Sequence, residues 1–354
     1  MKKRALFSIV AVAGATAAAL AGCSSGTPGG DSSSGAAEAG LACVILPDSA
    51  SSPRWESLDR PALKKGLEDA GFKADIQNAQ GDAGKYATIG DQELSEGCGV
   101  MLLVDLNGSA VAVAQKATAQ GIPVIAYDRP FQGADYYVSF DNEKVGELEG
   151  QMIVDGLKAA GKDPATAKVV YMGGDPGDGN AKMFHDGADK VMSAAGIKPA
   201  AEPTGIWDQG KSATNFEQAL TSLGGTVDAV WVANDTNAAG VITILDKYGL
   251  KVPVSGQDAG VAGLQNVLLG KQTGTVWKHS GDEADSAVKT AVALLKGETP
   301  TADQKLDDGT PYIAVTPVSV GPADVEKVVE AGDASAADIC TGDVAALCTQ
   351  YGVK

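Results

Sequence analysis

Residues 98–129 read CGVMLLVDLNGSAVAVAQKATAQGIPVIAYDR, and the fold turns on this stretch. Residues 100–104 form a short apolar run of strand length, 110–120 carry apolar residues at helical spacing, and 124–127 form a second apolar run. Strand, helix and strand in succession make the repeating unit of a parallel sheet covered by helices. The same alternation extends in both directions. Apolar runs recur at 42–46, 74–78, 169–172, 229–233, 252–255 and 275–278, with helical stretches at 58–70, 144–160, 181–195, 238–248 and 283–295. The chain is therefore expected to be α/β, with eight or more strands in one wide sheet or in two sheets of about four to six strands each. The segment YVSFDNE at 137–143 is the expected crossing between two lobes. No solenoid repeat is visible.

The chain has 354 residues, enough for about two domains of roughly 150 residues. With 44% hydrophobic and 21% charged residues it is too polar for a multi-span membrane protein. A net charge of −17 repels phosphate backbones, so nucleic acid is not an expected partner. Two histidines, His185 and His279, leave little material for a catalytic zinc site, and no metal is expected.

In open parallel sheets ligands bind beyond the carboxyl ends of the strands. Here one apolar run after another ends in hydrogen-bonding groups: Tyr127-Asp128-Arg129, Asp141-Asn142, Asn234-Asp235, Gln257-Asp258 and Lys278. Arg54 and Trp55 follow the first run, and Trp207-Asp208 sit in a loop of the second half. Any one of these is ordinary as a helix cap or a solvated turn. Seven such groups at corresponding ends point to a site. Carboxylate and amide oxygens accept from hydroxyls while Arg, Lys and amide nitrogens donate to them, which suits a neutral polyol. Trp55 and Trp207 would cover its C–H faces, whereas Trp231, inside an apolar run, is expected in the core.

Residues 1–22 have a basic start (Lys2, Lys3, Arg4) and an apolar stretch of secretory-signal length. They run into Leu20-Ala21-Gly22-Cys23, which resembles the lipobox of bacterial lipoproteins, so Cys23 is the expected lipidation site and the cell membrane's extracytoplasmic face the expected location. Residues 24–40 hold five Gly and five Ser, the composition of a flexible tether, so 23–40 form the linker. Outside the cytoplasm the remaining Cys43, Cys98, Cys340 and Cys348 are expected to pair. Three connectivities are possible. The favoured one joins Cys43 to Cys98, which open two apolar runs, and Cys340 to Cys348, in a polar C-terminal tail.

At SSPRW, AYDRP, YYVSFDNEKVGEL, GGDPGDGNA, NDTNAAG and SGQDAGVAGLQNVLLGKQTGTVWK the sequence resembles the periplasmic-binding-protein type I family, in particular its D-xylose-binding and multiple-monosaccharide-binding members. The resemblance runs from about residue 43 to 324. It implies two Rossmann-like lobes joined by a three-segment hinge: 41–140 plus 280–309, and 141–279 plus 310–335, with 336–354 as the tail. It also implies sugar contacts at Arg54, Asp128, Arg129, Asn142, Trp207, Asn234, Asp258 and Lys278, with Trp55, Asp141 and Asp235 as additional candidates. GGDPGDGNA departs from the commoner GGSPxDNNA pattern: Asp178 and Asn180 keep two polar positions and Gly179 removes one. His279 is a second departure.

The expected function is capture of a monosaccharide, D-xylose foremost, by hinge closure and delivery to the membrane subunits of an ABC permease, as a monomer without cofactor or catalytic residues. The alternatives are a multiple-monosaccharide binder, a sensor presenting sugar to a membrane receptor, and a secreted glycoside hydrolase. The chain lacks a G-x-S-x-G elbow and a Walker A loop, and the glycines at 177 and 179 spoil a calcium loop.

Overall fold

The computed structural model describes residues 40–354. The signal peptide and Cys23 expected near the start lie outside the described residues.

The first lobe is built on β1 (Leu41–Leu46), β2 (Lys73–Asn78), β3 (Cys98–Leu103), β4 (Val124–Tyr127) and β5 (Tyr136–Phe140). The second uses β6 (Val169–Met172), β7 (Pro199–Ala201), β8 (Ala229–Val232) and β9 (Thr275–Trp277). Three late strands follow: β10 (Gln304–Lys305), β11 (Pro311–Val315) and β12 (Val318–Val320). The first sheet has seven strands in the order β10-β11-β5-β4-β3-β1-β2, and all its pairings are parallel except β10 with β11. The second sheet has three parallel strands, β7-β6-β8. Single bridges from Val230 to Val254 and from Gln257 to Val276 carry it toward the antiparallel pair β9 and β12. Two main sheets and a separate two-stranded one are thus present, and the main sheets are less equal than four to six strands apiece, because 252–255 contributes only one bridge while β10 and β11 add to the first sheet.

That addition moves a boundary. Residues 312–315 pair with Tyr137–Phe140 of β5, so the first sheet extends past the expected lobe limit of 309 and the chain leaves it only after Val315. The other crossings fall between β5 and the helix beginning at Asn142, and between β9 and the helix beginning at Ser280.

Helices cover both faces of each sheet. In the first lobe α1 (Arg60–Asp69), α2 (Ala83–Glu96) and α3 (Ser109–Ala119) flank the strands. The second lobe has α4 (Asn142–Ala159), α5 (Gly179–Ala194), α6 (Gln209–Ser222), α7 (Asp235–Tyr248) and α8 (Val261–Leu268), and α9 (Ser280–Leu295) returns to the first. Alternation along each strand divides the core. In β1, Cys43 and Ile45 face the α2–α3 side, while Ala42, Val44 and Leu46 meet Leu63, Leu67, Ala287 and Ala291 of α1 and α9. The second sheet likewise has a core on each face, around Trp231 and around Phe216. Among the described residues no helix is long and apolar enough to cross a membrane.

Disulfides join Cys43 to Cys98, neighbours at the start of β1 and β3, and Cys340 to Cys348. The latter lies in a folded cap rather than a polar tail. The helices α10 (Val325–Glu330), α11 (Ala336–Ile339) and α12 (Ala345–Tyr351) bury Ile339, Val344, Cys348 and Val353 against Leu264, Val267 and Leu268 of α8.

Candidate ligand-binding cleft

The strand ends converge on a cleft lined by Ser51, Ser52, Arg54, Trp55, Asp128, Arg129, Asp178, Asn180, Phe184, Trp207, Asn234, Gln257, Asp258 and Lys278. Both lobes contribute.

Arg54 opens a π-helical turn, Trp55–Asp59, that leads into α1. Such turns are frequent at functional sites because they re-aim side chains. Its Nε and Nη2 donate to the two oxygens of Asp59 at 2.9 Å each, and Nη2 also meets Glu283 and lies 3.3 Å from Asp128. The guanidinium carbon sits 4.6 Å from the centre of the Trp55 ring. Fixed this way, the group keeps Nη1 without a protein partner among the described residues. Asp59 and Glu283, both fully buried, work from behind the cleft. Burial pushes both carboxyls up, with Arg54 opposing the rise.

On the other side Lys278, at the end of β9, pairs with Asp258 at 3.2 Å and is only 7% exposed. Burial works against its ammonium, but Asp258 and Asp128 outweigh it and hold its pKa above the ordinary lysine value. For Asp128, burial would raise the carboxyl, yet Arg54, Lys278 and Arg129 together hold it below the usual range. Both aspartates have left-handed backbone, φ 61° at Asp128 and 96° at Asp258. A non-glycine residue pays strain there, and such residues gather at functional sites.

The lobes meet through α5. Asn180 donates from Nδ2 to the Asp128 carbonyl at 2.7 Å and accepts at Oδ1 from the Tyr137 hydroxyl at 2.7 Å and from Asn142 at 3.1 Å. Arg129 lies 3.2 Å from Asp178, and Trp207 donates from Nε1 to the same carboxylate at 3.1 Å. Two glycines make this closeness possible. A Cβ on Gly179 would stand 2.8 Å from Pro130 Cγ, and one on Gly174 would stand 2.0 Å from the Trp207 ring. The departure at Gly179 is thus a steric fit to the opposite lobe.

Three cations (Arg54, Arg129, Lys278) face three carboxylates (Asp128, Asp178, Asp258) in the lining, so its formal charge balances. Several polar atoms remain unengaged. Asn234 caps α7 through Oδ1, which accepts from Asn237 at 2.8 Å, and this leaves Nδ2 for the cleft. Gln257 donates to the Ala233 carbonyl at 2.7 Å, while its buried Oε1 has no partner among the described residues.

A family model described as a periplasmic binding protein domain matches residues 43–299. This chain belongs to the periplasmic binding protein family. It is 35% identical to a D-xylose-binding periplasmic protein of Escherichia coli, over 78% of this chain and 85% of that one. It is 31% identical to a multiple sugar-binding periplasmic receptor of Rhizobium radiobacter, over 86% and 93%. Among solved structures it resembles an ABC transporter solute-binding protein from Clostridium phytofermentans with bound β-D-glucose, at TM-score 0.76 and 28% identity over 84% of this chain and 99% of that one.

In this binding protein Arg54, Trp55, Asp128, Arg129, Trp207, Asn234, Asp258 and Lys278 line the cleft together. Three expected contacts stand elsewhere. Asn142 lies behind Asn180 and donates to Tyr137, Ser139 and Asn180. Asp141 caps α4 by accepting from the Lys144 backbone at 3.0 Å and faces a different depression, with Gln304. Asp235 is buried behind Asp258, its oxygens occupied by Gln272, Thr275 and the Gly260 backbone. Burial above all, with the Asp258 charge adding to it, pushes Asp235 up to about 7. Ser51, Ser52, Asp178, Asn180, Phe184 and Gln257 were not among the expected contacts. Gln257 had a visible signal in its place directly before Asp258, and Phe184 had none, because an aromatic one turn into a helix reads as core.

Proposed function

We propose that this protein is an extracytoplasmic receptor that binds a neutral monosaccharide, D-xylose foremost, between its lobes and delivers it to an ABC importer. The observation that carries the reading is the cleft itself: a charge-balanced ring of donors and acceptors from both lobes, with unengaged atoms on Arg54, Asn234 and Gln257 and a tryptophan from each lobe. Such a set pairs hydroxyls on both sides and adds apolar cover for C–H faces. Similarity to a D-xylose-binding protein supports the choice of sugar. The sugar adds contacts to both lobes only when they are closed, so differential affinity drives closure as a population shift. Lipid attachment at Cys23 and action as a monomer belong to the same proposal, and a membrane receptor is the alternative recipient of the closed form.

A broader specificity is the second reading, favoured by the multiple sugar-binding relative and by glucose in the solved structure. Calorimetric titration with D-xylose, D-glucose, L-arabinose, D-ribose and D-galactose separates the two. Tight one-to-one binding of xylose with weak glucose binding is expected. Comparable affinities support the broader reading, and no binding of any of the five overturns the proposal.

A further inference from the structure

A second cavity, of about 710 Å³, adjoins the cleft. It shares Ser52, Arg54, Asp258 and Lys278 with the cleft lining, so at this wall the two spaces are divided by side chains. Its far walls come from three parts of the fold: Pro53 and Leu58 of the first lobe, Ala239 and Val261 of the second, and Ala334 of the C-terminal cap. Hydroxyls of Ser57, Thr236 and Ser280 interrupt this apolar lining.

The charges select what fits. The cavity wall carries the cations Arg54 and Lys278, both already paired with carboxylates, and the carboxylates of Asp235 and Asp258. Asp333 and Asp338 line it on the side of the C-terminal cap. Asp333 accepts from Trp277 and contacts His279, and Asp338 accepts from Ser335, so among the described residues neither carboxylate is cancelled by a lysine or arginine there. An anionic substituent such as a phosphate or uronate would meet these carboxylates without a free cation to receive it. A neutral group with apolar faces and a hydroxyl edge matches the wall.

Building on the sugar-binding reading above, we propose that the protein also takes neutral disaccharides, with one ring in the cleft and the second in this lateral cavity, the glycosidic oxygen crossing the wall shared by Ser52, Arg54, Asp258 and Lys278. The cap formed by 325–354 thereby acquires a role in ligand choice, since it closes one side of the second subsite.

Titration calorimetry with matched pairs tests this: D-xylose against xylobiose, and D-glucose against cellobiose. Wild type is expected to bind the disaccharide of whichever monosaccharide it binds. Ala239→Trp, and separately Val261→Trp, fill the lateral cavity without touching the cleft lining. Each should leave monosaccharide affinity within about threefold and weaken the disaccharide by at least about 30-fold, given that tenfold corresponds to 1.4 kcal/mol. Retained monosaccharide binding also reports that the variant is folded. If wild type binds a monosaccharide and neither disaccharide, the inference falls and the receptor reading stands. If no sugar of either size binds, the receptor reading itself has failed. Disaccharide affinity unchanged in both variants, or equal loss of both ligands in both, also overturns the second subsite.

Discussion

Replacing Asp258 with alanine tests the site where its chemistry is most concentrated. The carboxylate does two things: it faces the cleft, and it neutralises Lys278, which is 7% exposed and 3.2 Å away. Truncating one partner of a buried charge pair in a binding site costs about 2–5 kcal/mol, much of it the penalty of leaving the other charge unpaired. That corresponds to roughly 30- to 5,000-fold in Kd. Asp128 still attracts Lys278 across the cleft, so the lower half of the range is expected. A double-mutant cycle separates the two roles. On a Lys278→Met background no ammonium is stranded, and Asp258→Ala should cost only the direct ligand bond, about 1.5–3 kcal/mol for a charged acceptor. Calorimetric titration with D-xylose, backed by thermal unfolding to verify the fold, measures each corner. A Kd for Asp258→Ala within threefold of wild type refutes the site assignment, and strict additivity across the cycle refutes the pairing argument.

Other consequences follow from single residues. Gly179→Asn places a side chain where Pro130 leaves 2.8 Å, so the closed form should be disfavoured and titration should show at least about tenfold weaker sugar binding with unchanged melting behaviour. The Glu93 carboxyl is buried without a hydrogen-bond partner among the described residues, and burial first, then Asp75 and Glu96, push it up to about 9. The folded protein therefore holds a proton there that the unfolded chain has released, and stability falls by up to about 1.4 kcal/mol per pH unit between the unfolded value near 4.5 and 9. Glu93→Gln should flatten denaturant-midpoint curves across that window, and an unchanged slope contradicts the assignment. Removing the Cys43–Cys98 bridge, which spans 55 residues, should destabilise by about 4 kcal/mol on loop-entropy grounds, against about 2.5 kcal/mol for the eight-residue Cys340–Cys348 bridge. Chemical denaturation of the two double-alanine variants gives the comparison, and a larger loss at the C-terminal bridge contradicts it.

The alternation of apolar runs with helical spacing made the α/β architecture legible, because a strand covered on both faces must be apolar throughout, and 100–104 and 124–127 are. Where a polar residue follows such a run, sequence says that it stands at the strand end but not which way its atoms are used. Asp141 and Asn234 look alike in this respect, each opening a helix after an apolar run. Both became N-caps, yet Asn234 has a second, chemically distinct atom left over, and it faces the cleft, while Asp141 turns toward Gln304. Residues that act from behind were not legible at all. Glu283 reads as a first-turn helix acid and Asp59 as a solvated charge, and only the return of α9 to the first lobe, 229 residues from Arg54, brings Glu283 to the guanidinium. The C-terminal cap failed for a different reason: Ile339, Val344, Cys348 and Val353 are spread among polar residues at no regular period, so their burial depends on the groove that α8 offers.

The same support from behind explains how a site shared by two lobes is kept defined. Arg54 has two of its three nitrogens fixed by carboxylates and its face held on Trp55, so the remaining nitrogen is aimed before any ligand arrives. Ordering a free arginine would otherwise subtract about 0.5–1.5 kcal/mol from binding. Asp128 and Asp258 are fixed by backbone instead, at the expense of positive φ. In the proposed closure, rigid, oriented groups move against each other. Selectivity between sugars must arise from where those fixed atoms lie, since side chains held this firmly have little freedom to follow a hydroxyl that points the wrong way.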